Sequence, residues 1–189
     1  MTLLRPDTLA IQHLVVRGGP VAREQVAQLQ REVEGADWPQ APGESWVFIR
    51  QLQVRGSAGQ LGRELAQATR TRIQGGPTDN LMRFANLTEL LAALLADLAS
   101  GVAAERWYWQ HWAQLFPLPV AQAITRLLAE HGEHLPAVCA RLAEQRQLAR
   151  VWLALDEAGA HQLAQELAWR SGFALPERHA APTQQRGRT

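Results

Sequence analysis

The side chains of this chain that could carry chemistry are six histidines, one cysteine and a dense run of aromatic residues. His131-Gly132-Glu133-His134, preceded by Glu130, has the residue types of a metal cluster. A metal-binding helix needs histidines at i and i+4 on one face, as in His-Glu-x-x-His. Here Gly132 and Pro136 mark a helix junction, so the pattern reads as a solvated turn and no metal is expected. Cys139 cannot form an internal disulfide, and it falls on the apolar side of a helix-like stretch, Leu135 to Leu142. It reads as a small buried hydrophobe, because a thiol nucleophile needs an adjacent base and the spacing places no histidine beside it. His13 sits between Gln12 and Leu14 with no acid or nucleophile paired to it by spacing. Ser45, Ser57, Ser100 and Ser171 lie outside any Gly-x-Ser-x-Gly pattern. The glycine-rich stretch Gly56 to Gly62 lacks the spacing of a nucleotide-binding loop and reads as a strand-to-helix turn. All nineteen basic residues are arginine, which excludes Schiff-base and phosphate-loop lysines. The expectation is a non-enzyme with no catalytic residue and no cofactor. An enzyme would have to assemble its site from scattered groups such as His13, Glu105 and His111.

The aromatic run points to binding instead. Glu105-Arg106-Trp107-Tyr108-Trp109-Gln110-His111-Trp112 leads into Leu115-Phe116. On a helix over 103–116, Tyr108, Trp109, Trp112, Leu115 and Phe116 share one face and read as core. Trp107 falls on the other side, near Arg106, Gln110 and His111. An exposed tryptophan beside an arginine is a frequent interface anchor. Trp107, Arg106 and His111 are therefore candidate partner-binding residues, and Trp169, near the end of the last helix, is another. The competing reading packs Trp107 against the N-terminal sheet or a neighbouring helix.

These residues have to be positioned by the elements around them. Residues 9–16 read as a strand rich in branched side chains, closed by Arg17-Gly18-Gly19-Pro20. A helix is expected from Val21 to Glu34, then a loop from Gly35 to Glu44. Trp46, Phe48, Leu52 and Val54 alternate with polar residues and predict a strand, with Arg50 interrupting its inward face. A polar helix over 59–73 follows, with Leu61, Leu65 and Ala68 as its apolar stripe. Beyond the break at Gly75-Gly76-Pro77, Leu81 to Phe84 read as a short third strand. From Asn86 the pattern turns helical. Asn86 is an N-cap with Glu89 three residues on, and Leu87, Leu90, Leu91, Leu94, Leu95 and Leu98 hold helical spacing up to Gly101. Further helices are expected at 103–116, 119–131, 136–154 with a break near Gln147, and 156–171 between Asp156 and Gly172. The fold class is α+β, mostly α. A small α+β region spans 1–85, a helical bundle packed against it spans 86–174, and a tail poor in apolar residues, 175–189, is expected to be disordered.

Bulk composition narrows the function. The chain has 189 residues, 47% hydrophobic and 20% charged, with a net charge of +1. Residues 1–100 carry ten arginines and ten acids, 101–175 six and seven, and 176–189 three and one. The positive excess therefore lies in the tail, and no concentrated basic field is expected, so neither nucleic acid nor a membrane surface is an expected partner. The N-terminus lacks a signal-peptide pattern, and Leu87 to Leu98, interrupted by Glu89 and Asp97, is too short and too polar to span a bilayer. A cytoplasmic protein is expected.

Three segments together resemble a family. They are Ile11-Gln12-His13-Leu14-Val15-Val16; Trp46-Val47-Phe48-Ile49-Arg50-Gln51-Leu52-Gln53-Val54 with the helix after it; and Leu90 to Leu98 with Gly101 and Trp107-Tyr108-Trp109. Their order over residues 10–170 is similar to the amino-terminal part of the tape-measure proteins of extracellular contractile injection systems. A ruler must be long, at about 1.5 Å per helical residue, whereas prolines and glycines divide this chain into compact helices. The resemblance thus implies a stand-alone relative: a non-enzymatic assembly or structural accessory of a contractile, phage-tail-like particle, acting through tube, cap or baseplate proteins. The alternative is a cytoplasmic helical adaptor or regulator that binds a single protein partner.

Overall fold

A computed structural model of the chain describes residues 23–40, 43–56, 59–75 and 79–172. The expected strand at 9–16, with His13, and the tail at 175–189 lie outside them. The elements run α1 (Arg23–Glu34), β1 (Trp46–Ile49), α2 (Leu61–Gln74), β2 (Leu81–Phe84) and α3 (Leu87–Ala99). Two 3₁₀ segments follow, Ala103–Glu105 and Trp107–Leu115, then α4 (Val120–Glu130), a 3₁₀ turn at Gly132–His134, α5 (Leu135–Glu144), α6 (Leu148–Leu153) and α7 (Glu157–Ser171). The chain is α+β and mostly α.

The leucine-rich helix α3 is the hub. Asn86 Oδ1 accepts the backbone N–H of Glu89 at 2.9 Å, and Glu89 Oε2 accepts the backbone N–H of Ala85 at 2.7 Å. The first satisfies an amide that a helix start leaves unpaired, and the second ties the residue before the cap back to the first turn. Gly101, at φ +74°, ends the helix. The Gly101 N–H reaches the Leu98 carbonyl and the Val102 N–H reaches that of Asp97, both at 3.0 Å, the two bonds of a Schellman closure. Between these ends Leu90, Leu91, Leu94 and Leu95 are completely buried. Each contributes about 1.5–3 kcal/mol of transfer free energy. α3 packs on α4, α5 and α6, and α7 packs on α4 and α5. Arg141 of α5 also reaches Glu89 at 3.3 Å, tying the N-terminal turn of α3 to its neighbour.

The sheet is short. β1 and β2 are antiparallel, with Trp46 opposite Phe84 and Ile49 opposite Leu81. The strand expected over 46–54 stops at Ile49, because a ladder lasts only as long as its partner and β2 has four residues. The Arg50 N–H adds one more bond, to the Asn80 carbonyl at 2.9 Å. Phe84 belongs to the same buried cluster as α3, and Trp46, Phe48 and Met82 pack against it, so sheet and bundle share one core. α1 lies on α2 at Gly62, where an added Cβ would collide with the Glu32 carbonyl.

Several boundaries agree with the sequence reading. The stretch 136–154 divides into α5 and α6 around Arg146, which takes φ +57°. α7 starts with Asp156 Oδ1 accepting the Gly159 N–H at 2.7 Å and closes at Gly172, φ +70°. The stretch 103–116 differs from its expected form. It is two 3₁₀ segments separated at Arg106, whose φ/ψ are extended, and the second bends at Trp112, φ −102°, ψ +18°.

Candidate functional site

The 3₁₀ winding decides which aromatic side chains face inward. With three residues per turn, positions i and i+3 eclipse one another. Trp109 and Trp112 form the inner row and are buried, as is Leu115 beyond the bend at Trp112. Trp107 and Gln110 form the outer row, with Trp107 half-buried and Gln110 exposed. Tyr108 and His111 run along the flank.

The inner row is held by aromatic contact and by one carboxylate. Trp109 stacks on Phe84 at 5.3 Å between ring centroids and meets Phe48 and Trp112 edge-on at 6.4 and 5.7 Å. Such pairs add about 0.5–1.5 kcal/mol each beyond area burial. The indole N–H of Trp109 donates to Asp97 Oδ2 at 2.8 Å, and the same oxygen lies 3.9 Å from Arg106 Nε. Asp97 sits in the last turn of α3, where the helix dipole disfavours an anion. The indole donor and the guanidinium supply the compensation. Burial raises the Tyr108 hydroxyl above its ordinary pKa, and the nearby Asp97 charge adds to the shift while Arg106 opposes it.

The candidate partner-binding residues divide accordingly. Arg106 and Trp107 are adjacent on the outer side, with Arg106 exposed and Trp107 lying edge-on to Tyr108 at 5.4 Å. His111 belongs to the flank and stands perpendicular to Trp112 at 5.0 Å. On an α-helix, Trp107 and His111 would have shared a face; the tighter winding turns His111 about 120° away. Trp169 lies on α7, with 75% of its surface exposed. The sequence reading missed Asp97, seen there only as polarity inside a greasy run. A lone acid on a leucine-rich helix was the available signal.

His131 and Cys139 are both drawn into the packing of the bundle. His131 was expected in a solvated turn, but it is buried, because it ends α4 and the chain folds there directly into the 3₁₀ turn that starts α5. Burial pulls its imidazole pKa below the ordinary value, against the raising effect of Glu133 and Glu130. Cys139 is half-buried at the edge of the core, and burial pushes its thiol pKa up, away from nucleophile chemistry. Among the described residues, no group of three or more His, Cys, Asp or Glu side chains could hold a metal ion. Nor is any described helix long and apolar enough to cross a membrane. No family model, curated protein or solved structure matches the chain.

Proposed function

We propose that the chain is a non-enzymatic accessory protein that acts through protein–protein contact at the Arg106–Trp107 face. The carrying observation is the support beneath that face. The Trp109–Asp97 hydrogen bond fixes the inner row of the 3₁₀ segment, which leaves Trp107 on the outer row beside exposed Arg106 and Gln110. A large ring held at a rigid surface loses little conformational entropy on binding, which is how aromatic and arginine anchors dominate interfaces. Trp169, exposed on α7, offers a further contact.

The setting we assign is a contractile, phage-tail-like particle in the cytoplasm, with tube, cap or baseplate proteins as partners. It rests on the segment order that resembles the tape-measure proteins. A tagged full-length chain, recovered from its native cell with bound proteins identified by mass spectrometry, tests both parts. Tube, sheath or baseplate proteins in the wild-type sample, lost with Trp107→Ala, are the expected result. Recovery of a single unrelated partner would replace the particle by the adaptor reading. Retention of every partner by Trp107→Ala would remove the face itself.

A further inference from the structure

A second surface shares no residue with the Arg106–Trp107 face and begins where β1 ends. Beyond Ile49 the β1–β2 ladder ends, yet burial keeps its period of two. Gln51, Gln53 and Arg55 are exposed, whereas Leu52 and Val54 are half-buried. That is the pattern of a strand with one face packed. Among the described residues, no backbone hydrogen bond joins 51–56 to any other backbone group. Backbone N–H and C=O groups are obligatory hydrogen-bonding groups, and an unpaired row of them is a template for another strand.

Beside this row is an open groove of about 650 Å³, lined by Gln51, Leu52, Gln53, Thr71, Arg72 and Asn80 among others. The lining carries amide side chains and a guanidinium but no carboxylate. Arg72 in the groove and Arg55 at the end of the exposed row have no ion pair among the described residues. Asp79, adjacent to Asn80 in the chain, does not line the groove.

We propose that Gln51–Arg55 and this groove bind an acidic peptide segment of a partner protein by strand addition. The peptide's backbone would complete the open row, and its carboxylates would meet Arg72 and Arg55. Strand addition draws affinity from main-chain bonds and specificity from alternate side chains. The charge pattern selects the occupant. The chain's own strand-like segment, Leu9 to Val16, contains no acid, and residues 176–189 carry one acid against three arginines. The first offers no carboxylate to either guanidinium, and the second offers a single one, Glu177, beside three arginines of its own. A nucleic acid offers phosphates but no row of peptide groups to meet the edge. This surface is independent of the Arg106–Trp107 face, and either can fail alone.

The test uses the full-length chain and two labelled heptapeptides, one alternating Val and Glu, the other Val and Lys. Fluorescence anisotropy should show binding of the Glu peptide, weakening as salt is added. Arg72→Glu should weaken it by about tenfold or more, the size of one charge-assisted hydrogen bond. Arg55→Glu, at an exposed site, gives the same readout should Arg72→Glu disturb α2. Hydrogen exchange at the 51–55 amides should slow when the Glu peptide binds. Equal binding of the two peptides, or binding of neither, overturns the proposal. So does strong protection of those amides in the free chain, which would show the row already occupied.

Discussion

Asp97 connects the leucine-rich helix to the aromatic segment that follows it. One of its carboxylate oxygens receives the Trp109 indole and faces the Arg106 guanidinium. Asp97→Ala should therefore leave a buried indole N–H without a partner, at a cost of about 1–3 kcal/mol in urea unfolding. Asp97→Asn keeps an acceptor oxygen and should lose clearly less; equal losses would mean that packing, not the hydrogen bond, fixes Trp109. His131 gives a pH-dependent counterpart. Its folded pKa is depressed, so the unfolded chain binds more protons below the ordinary imidazole value of about 6.5. Its contribution to stability is complete above that pH and declines as pH falls beneath it. Thermal unfolding at pH 7.5 and 5.5 should show a loss that His131→Gln reduces; an unchanged slope in the variant would clear His131 of the effect. Neither role was legible as such. Asp97 needed a partner twelve residues away, and the burial of His131 depends on how α4 meets α5.

At the scale of elements, legibility followed locality. α3 and α7 were readable to within a residue or two because their ends are set by side chains a few positions off: Asn86 with Glu89, Asp156 with Gly159, and Gly101 and Gly172 at left-handed φ. The 103–116 segment was misread for a different reason. Trp109, Trp112 and Leu115 are spaced by three, which fits one face of an α-helix and one row of a 3₁₀ helix equally well over so short a stretch. β1 was overextended because alternation marks a half-buried strand whether or not a partner continues beside it, and β2 ends the ladder after four residues. The α1–α2 crossing could not be read at all, since Gly62 looks like any helical glycine until Glu32 lies against it. Gly62→Ala should lower stability by about 1–3 kcal/mol despite alanine's better helix propensity. A gain in melting temperature would show that the two helices do not approach so closely.

For the molecule as a whole, aromatic rings join what the sequence divides. Phe48 of β1 and Phe84 of β2 both meet Trp109, and Phe84 also lies in one buried cluster with α3, α4, α5, α6 and α7. The sheet and the bundle should consequently unfold together, with tryptophan fluorescence and far-ultraviolet circular dichroism giving coincident transitions. Two separated transitions would contradict the shared core. The fold class was legible because it follows from periodicity. The proposed binding face was legible only as an outlying tryptophan, and its placement depended on the winding of one short segment. The most direct test of that role is a photo-crosslinking amino acid in place of Gln110, the exposed neighbour of Trp107 on the outer row. Irradiated in the native cell, it should couple the chain to a particle protein, and Trp107→Ala should abolish the product. No crosslink at Gln110, alongside products from a crosslinker at exposed Ala149 of α6, would contradict the Arg106–Trp107 face as the site of contact.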